Sequence, residues 1–164
     1  MLRLPLVFGR WAHASFTLSD GGAVATRGAD ETWHAAASNV VMRSGRHFVQ
    51  FMAVEGFMLF GVIRPDWDVE GGANAHTVDG HCFYATTTGS RYPGAHNWEG
   101  MQGAQQEGGP IGMLLDLDQG SMTVWKNDKK LGVMVAEGVR GPLCWAVEMF
   151  QESSARIESA PLPA

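Results

Sequence analysis

The chain is poor in cysteine, short of positive charge and free of long apolar runs. Its two cysteines, Cys82 and Cys144, exclude a disulfide framework. Each sits in an apolar, strand-like run, His81-Cys82-Phe83-Tyr84 and Leu143-Cys144-Trp145. That placement predicts free buried thiols and a reducing, cytoplasmic setting. Twelve Lys and Arg against 17 Asp and Glu leave a formal net charge of −5. An acidic chain lacks the basic footprint of a nucleic-acid binder. Its small basic cluster, Lys126, Lys129 and Lys130, reads as solvated charge in a turn. No apolar stretch approaches the ~18 residues of a membrane span, so no membrane association is expected. The N-terminal run Leu4-Pro5-Leu6-Val7-Phe8 is too short, and is interrupted by Pro5, against the roughly 7–15 apolar residues of a secretory leader.

Signatures of catalysis and of metal binding are missing as well. Asp66, Asp68 and Glu70 before Gly71 mimic the start of a calcium loop, but Thr77 stands where that loop needs its bidentate Glu. The six histidines show no zinc spacing; His76 and His81, in or near one loop, come closest to a metal pair. Gly89-Ser90-Arg91 is not a nucleophile elbow, and no phosphate-cradling loop exists. Asp116 and Asp118 fall in a turn, where tying the chain is expected of them rather than acid–base work. No catalytic residue, metal or cofactor is expected, and the chain does not read as an enzyme.

Glycine, proline and large aromatics are plentiful: 21 Gly, 7 Pro, 6 Trp and 8 Phe. They predict many turns around a substantial core, in a chain long enough for one domain. The periodicity is that of strands. Phe16–Ser19, Ala23–Thr26, Asn39–Met42, Arg46–Val54, Phe57–Ile63 and His81–Thr87 read as strands, the fifth as a buried one. In Arg46–Val54 both faces look at least partly covered. From Ile111, apolar residues alternate through a three-stranded meander turned at Gln119-Gly120 and at Asn127-Asp128. Leu143–Phe150 and Ser154–Glu158 follow. Residues 1–14 form either a tether or an extra edge strand. Trp98–Gln106 has room for a turn or two of helix at most. Two long loops, Arg64–Gly80 and Gly89–Gly109, are places where function concentrates.

The run Gly112-Met113-Leu114-Leu115-Asp116-Leu117-Asp118-Gln119-Gly120-Ser121-Met122-Thr123-Val124-Trp125-Lys126-Asn127-Asp128-Lys129-Lys130-Leu131-Gly132 resembles the signature of the SPRY domain family, as does Pro142-Leu143-Cys144-Trp145-Ala146-Val147. Ser38–Val54 and Gly56–Ile63 resemble earlier strands of that family. The resemblance spans residues 16–159, taken as the domain, with 1–15 an N-terminal extension and 160–164 a tail. It implies an all-β fold, a bent β-sandwich of two antiparallel sheets of the concanavalin-like jelly-roll type. It also implies a non-catalytic module that binds a peptide segment or a folded protein through loops at one edge. The RING-like Cys/His set and adaptor box that accompany such domains in ubiquitin ligases have no counterpart in these residues.

By the same resemblance, three segments should converge on a partner. They are Trp33, His34 and Ala35; Arg64, Pro65, Asp66 and Trp67; and Phe150 with Gln151. Trp and Arg are common anchors of binding hot spots, and these stand among polar loop residues. Tyr92, Pro93 and Trp98 read instead as packing within their own loop. The expected partner is a protein or peptide, met by a monomer or by part of a larger assembly. A carbohydrate-binding sandwich is the alternative, since aromatic loops with acids and Asn also suit sugars.

Overall fold

A computed structural model describes residues 5–29, 31–103 and 109–163. Two antiparallel sheets face each other. One has the order β1 (Phe8–Trp11), β4 (His34–Ser38), β12 (Cys144–Met149), β6 (Leu59–Ile63), β7 (Cys82–Ala85), β8 (Arg91–Tyr92). The other runs β11 (Lys129–Val135), β10 (Ser121–Lys126), β9 (Ile111–Asp116), β5 (Arg46–Glu55), β13 (Ser153–Ser159), β3 (Val24–Arg27), β2 (Phe16–Ser19). Among the described residues the only helical turns are two short 3-10 segments, Asp20–Gly22 and Ala75–Thr77. No helix there is long and apolar enough to cross a membrane.

The period-two alternation places the core. Ile111, Met113 and Leu115 of β9 point inward, as do Val49 and Phe51 of β5 and Trp145 and Val147 of β12. Phe51 stacks on Phe60 across the sheets at 4.8 Å, with Trp145 edge-on at 6.0 Å. Side chains of this size each stabilise the fold by about 1.5–3 kcal/mol on burial. The meander turns as its residues require. Gly120 has φ 76°, and Asn127 and Asp128 have φ 50° and 65°, the left-handed values these residue types tolerate best. Asp116 Oδ1 accepts the Asp118 and Gln119 N–H groups, and Asp118 Oδ1 accepts Gly45 N–H.

Several expectations change. The strand expected at Asn39–Met42 lies earlier, at His34–Ser38, and Met42 keeps one bridge to Leu143. Its Ala35-Ala36-Ala37 run is weak in β propensity. Yet both faces are closely covered, Ala36 by the core and its neighbours by a loop, and small side chains fit there. The first residues supply an edge strand, β1, with Phe8 and Ala12 in the core. The outer face of β5 is partly covered, with Phe48 and Gln50 half-buried and Met52 and Val54 exposed. Lys126 is not a solvated turn charge: it is buried, and its Nζ donates to Gly103 O at 2.9 Å. Trp98–Gly103 holds no helix; residues 104–106 lie outside the described residues. Cys82 faces the core and Cys144 the opposite face of the same sheet, so the two thiols remain free. Burial pushes the Cys82 thiol up to about 12.

Candidate functional site

The outer face of the six-stranded sheet is small and apolar: Ala35 and Ala37 on β4, Leu59 and Ile63 on β6, Cys144 and Ala146 on β12. The loop 64–80 lies over it, adding Val69 and Ala75, with Trp33, Trp67 and Tyr92 packed around them. What fastens the loop is a charge on that face. Glu148 follows Cys144 and Ala146 in the alternation of β12 and is fully buried. Its carboxylate accepts Ala75 N–H at 2.5 Å and His76 N–H at 3.0 Å, and pairs with His76 Nδ1 at 2.5 Å. A buried carboxylate is tolerable only with such partners.

Other bonds set the rest of the loop. His34 Nδ1 meets Gly72 O at 3.1 Å, and Trp33 O accepts Asn74 N–H. Arg10 donates to Trp67 O at 2.9 Å. Asp68 Oδ1 accepts Glu70 and Gly71 N–H groups, an Asx turn that occupies one of the acids of the apparent calcium loop. A side chain at Gly72 would press a Cβ to 2.7 Å from the Trp67 ring.

His81 closes the loop. Its Nε2 accepts Arg64 N–H at 3.1 Å, so Nδ1 carries the proton and donates to Ala75 O at 2.9 Å. The imidazole is therefore held neutral, and burial first, then the Arg64 charge, lowers its pKa against the opposing pull of the Ala75 bond, Glu148 and Asp66. In the unfolded chain it titrates near ~6.5. A base whose folded pKa lies lower contributes stability above ~6.5 and loses it as pH falls through the folded value. The urea midpoint, followed by tryptophan fluorescence, should therefore drop between pH 7 and pH 5, and His81→Asn should flatten that slope. An unchanged slope in the variant would assign the pH dependence elsewhere.

The expected contact residues form two groups. Strand register puts His34, Met149, Leu59 and Ala85 at one end of the sheet, and Ser38, Cys144, Ile63 and Cys82 at the other. Trp33, His34, Phe150 and Gln151 gather at the first end. Trp33 and Phe150 touch, with ring centroids 5.5 Å apart. His76 joins them, 5.1 Å from Trp33 and 5.5 Å from Tyr92, so Tyr92 packs beyond its own loop. Arg64, Pro65 and Asp66 leave the opposite end, where they line a cavity of about 570 Å³ with Arg140 and Pro142. Trp67 lies near them, edge-on to His81 at 5.4 Å. Half-buried Trp33, Trp67 and Phe150 both cap the sandwich and present an edge to solvent, while Gln151 is exposed.

Sequence reading missed Glu148, Arg27 and Arg140. Glu148 carries a visible signal, a carboxylate between Val147 and Met149 in an apolar strand. Arg27 is buried to 1% exposure and donates to Thr32 O at 2.7 Å, Ser15 O at 3.4 Å and Met149 O at 3.5 Å. It thereby holds the residues just before Trp33 and Phe150.

No family model matches the chain, and no curated protein matches it. Solved structures do. The SPRY domain of human HERC1 superposes with a TM-score of 0.73 at 19% identity, over 90% of this chain and 94% of that one. The chain has the SPRY fold. The TRIM65 PSpry domain gives 0.72 at 14% identity, over 97% and 93% of the two chains. Stonustoxin gives 0.70 at 14% identity, over 94% of this chain and 27% of its own length. The overall fold is thus shared with SPRY domains at identities where few side chains are common.

Proposed function

We propose that the chain is a non-catalytic protein-interaction module that recognises a peptide segment or a folded partner through its loops. The observation that carries this reading is the prearranged aromatic edge. Half-buried Trp33 and Phe150 meet in ring contact beside exposed Gln151, with Trp33 packed against His76 of the loop that Glu148 fixes. Ordering is complete before a partner arrives, so little is lost on binding. Arg64, Pro65, Asp66 and Trp67 provide a second contact region at the other end of the sheet. An intracellular setting belongs to this reading, given the two free buried thiols.

The test is an affinity capture from native lysate, with wild type beside Phe150→Ala/Gln151→Ala, both checked for fold by circular dichroism. The wild type should retain one or a few proteins that the variant loses, because rim-to-centre aromatic anchors carry most binding energy. Equal retention by both would remove the contact from the aromatic edge. Retention of nothing, with a positive glycan array, would put a carbohydrate-binding sandwich in its place.

A further inference from the structure

The cavity beside Arg64 does not end there. A second hollow of about 480 Å³ adjoins it, and both are lined by Gly80 and Gly138, which have no side chains to divide them. Each volume falls within the roughly 300–1,000 Å³ of ordinary ligand sites. Pro65 and Pro142 wall the first hollow, and Tyr92 and Pro93 the second. The result is one continuous groove with flat apolar sides.

Its charges are ordered along its length. The first hollow holds Arg64 and Arg140 against Asp66; the second holds Asp79 and Glu137 against Arg91. None of these six side chains forms an ion pair among the described residues. Arg64 is already positioned: its N–H is bound by His81, and its guanidinium donates to Asp79 O at 3.1 Å. A side chain at Gly80 would bring a Cβ to 2.5 Å from Arg64 Nη2, so the glycine makes room for that guanidinium. A net positive end and a net negative end in two adjoining hollows call for an occupant of the opposite polarity.

We propose that this groove holds an extended peptide segment of a protein partner, with an acidic side chain at the Arg64–Arg140 end and a basic one at the Asp79–Glu137 end. This rests on the interaction-module reading and adds the partner's chemistry.

The experiment is selection of random peptides of roughly eight residues displayed on phage, on the wild-type chain and on Arg140→Glu. Arg140 is exposed and forms no ion pair among the described residues, so the variant should keep its fold. Enriched wild-type sequences should separate acid from base. The best of them should bind Arg140→Glu about tenfold more weakly, since reversal sets like charges together, and the variant should enrich sequences basic at both ends. Amide shifts on binding should fall in residues 64–66, 79–81 and 137–142. Enrichment without charge order overturns the proposal. So do shifts at Trp33 and Phe150 with the groove silent, an outcome that leaves the interaction module standing. No enrichment at all overturns both the groove and peptide recognition.

Discussion

Replacing Glu148 with Ala should lower stability by about 3–5 kcal/mol, the cost of removing a buried carboxylate from the groups that hydrogen-bond to it. The native carboxylate is fully buried and satisfies Ala75 N–H, His76 N–H and the His76 ring together. Truncation leaves those donors beneath the loop without acceptors, at about 1–3 kcal/mol for each buried group. With a urea slope near ~2 kcal/mol/M, the midpoint should fall by about 2 M. Glu148→Gln should lose less, about 1–2 kcal/mol. Its oxygen can take one backbone N–H and its amide can donate to the His76 ring in the other tautomer. Hydrogen exchange supplies the local readout. In the Ala variant, amides of residues 74–81 should exchange fast under conditions where those of β9 and β10 stay protected. A loss below about 1 kcal/mol, or uniform exchange, would mean that apolar packing alone seats the loop.

What could be read from the sequence was what the chain settles within a few residues. The Asp116–Gly120 turn is made by a carboxylate and the N–H groups two and three residues on, and the Asn127-Asp128 turn by residues that accept positive φ. Alternation then gave the inward faces of β9 and β12, and with them the sandwich. The aromatic edge was visible as residue types, Trp33 and Phe150, although 117 positions apart they share no local pattern. The failures share a cause. β4 is hidden because Ala35-Ala36-Ala37 is chosen for close approach on both faces, and propensity measures neither. Lys126 looked solvated because its acceptor, Gly103 O, lies in a different loop. Glu148 meets His76 across 72 positions, and no spacing rule reaches that far. The separation of Arg64 from Trp33 is a matter of strand direction. Segments expected to converge leave opposite ends of one sheet, and which end is set by pairing, which single-strand patterns do not encode.

Arg27 offers the other large effect, and it separates packing from positioning. Its guanidinium lies 5.7 Å from the Phe16 ring centroid and donates to carbonyls in segments that enter β2, precede Trp33 and precede Phe150. Arg27→Ala should cost about 3–5 kcal/mol, combining the void of a large side chain with the loss of its hydrogen bonds to Ser15 O and Met149 O. Arg27→Lys should recover only part, because one ammonium cannot reproduce a planar fork that reaches three carbonyls. Arg27→Met is the informative variant. It refills most of the volume but donates no hydrogen bond. If Arg27 acts mainly by packing, Met restores both the urea midpoint and the native Trp33 indole N–H cross-peak. If the guanidinium positions the aromatic edge, Met recovers only the packing part of the midpoint while the Trp33 cross-peak shifts or broadens. The network of donated bonds predicts the second result. The bond that Arg27 Nη2 donates to Thr32 O, one residue before Trp33, is the shortest of them at 2.7 Å, and nothing in a thioether replaces it.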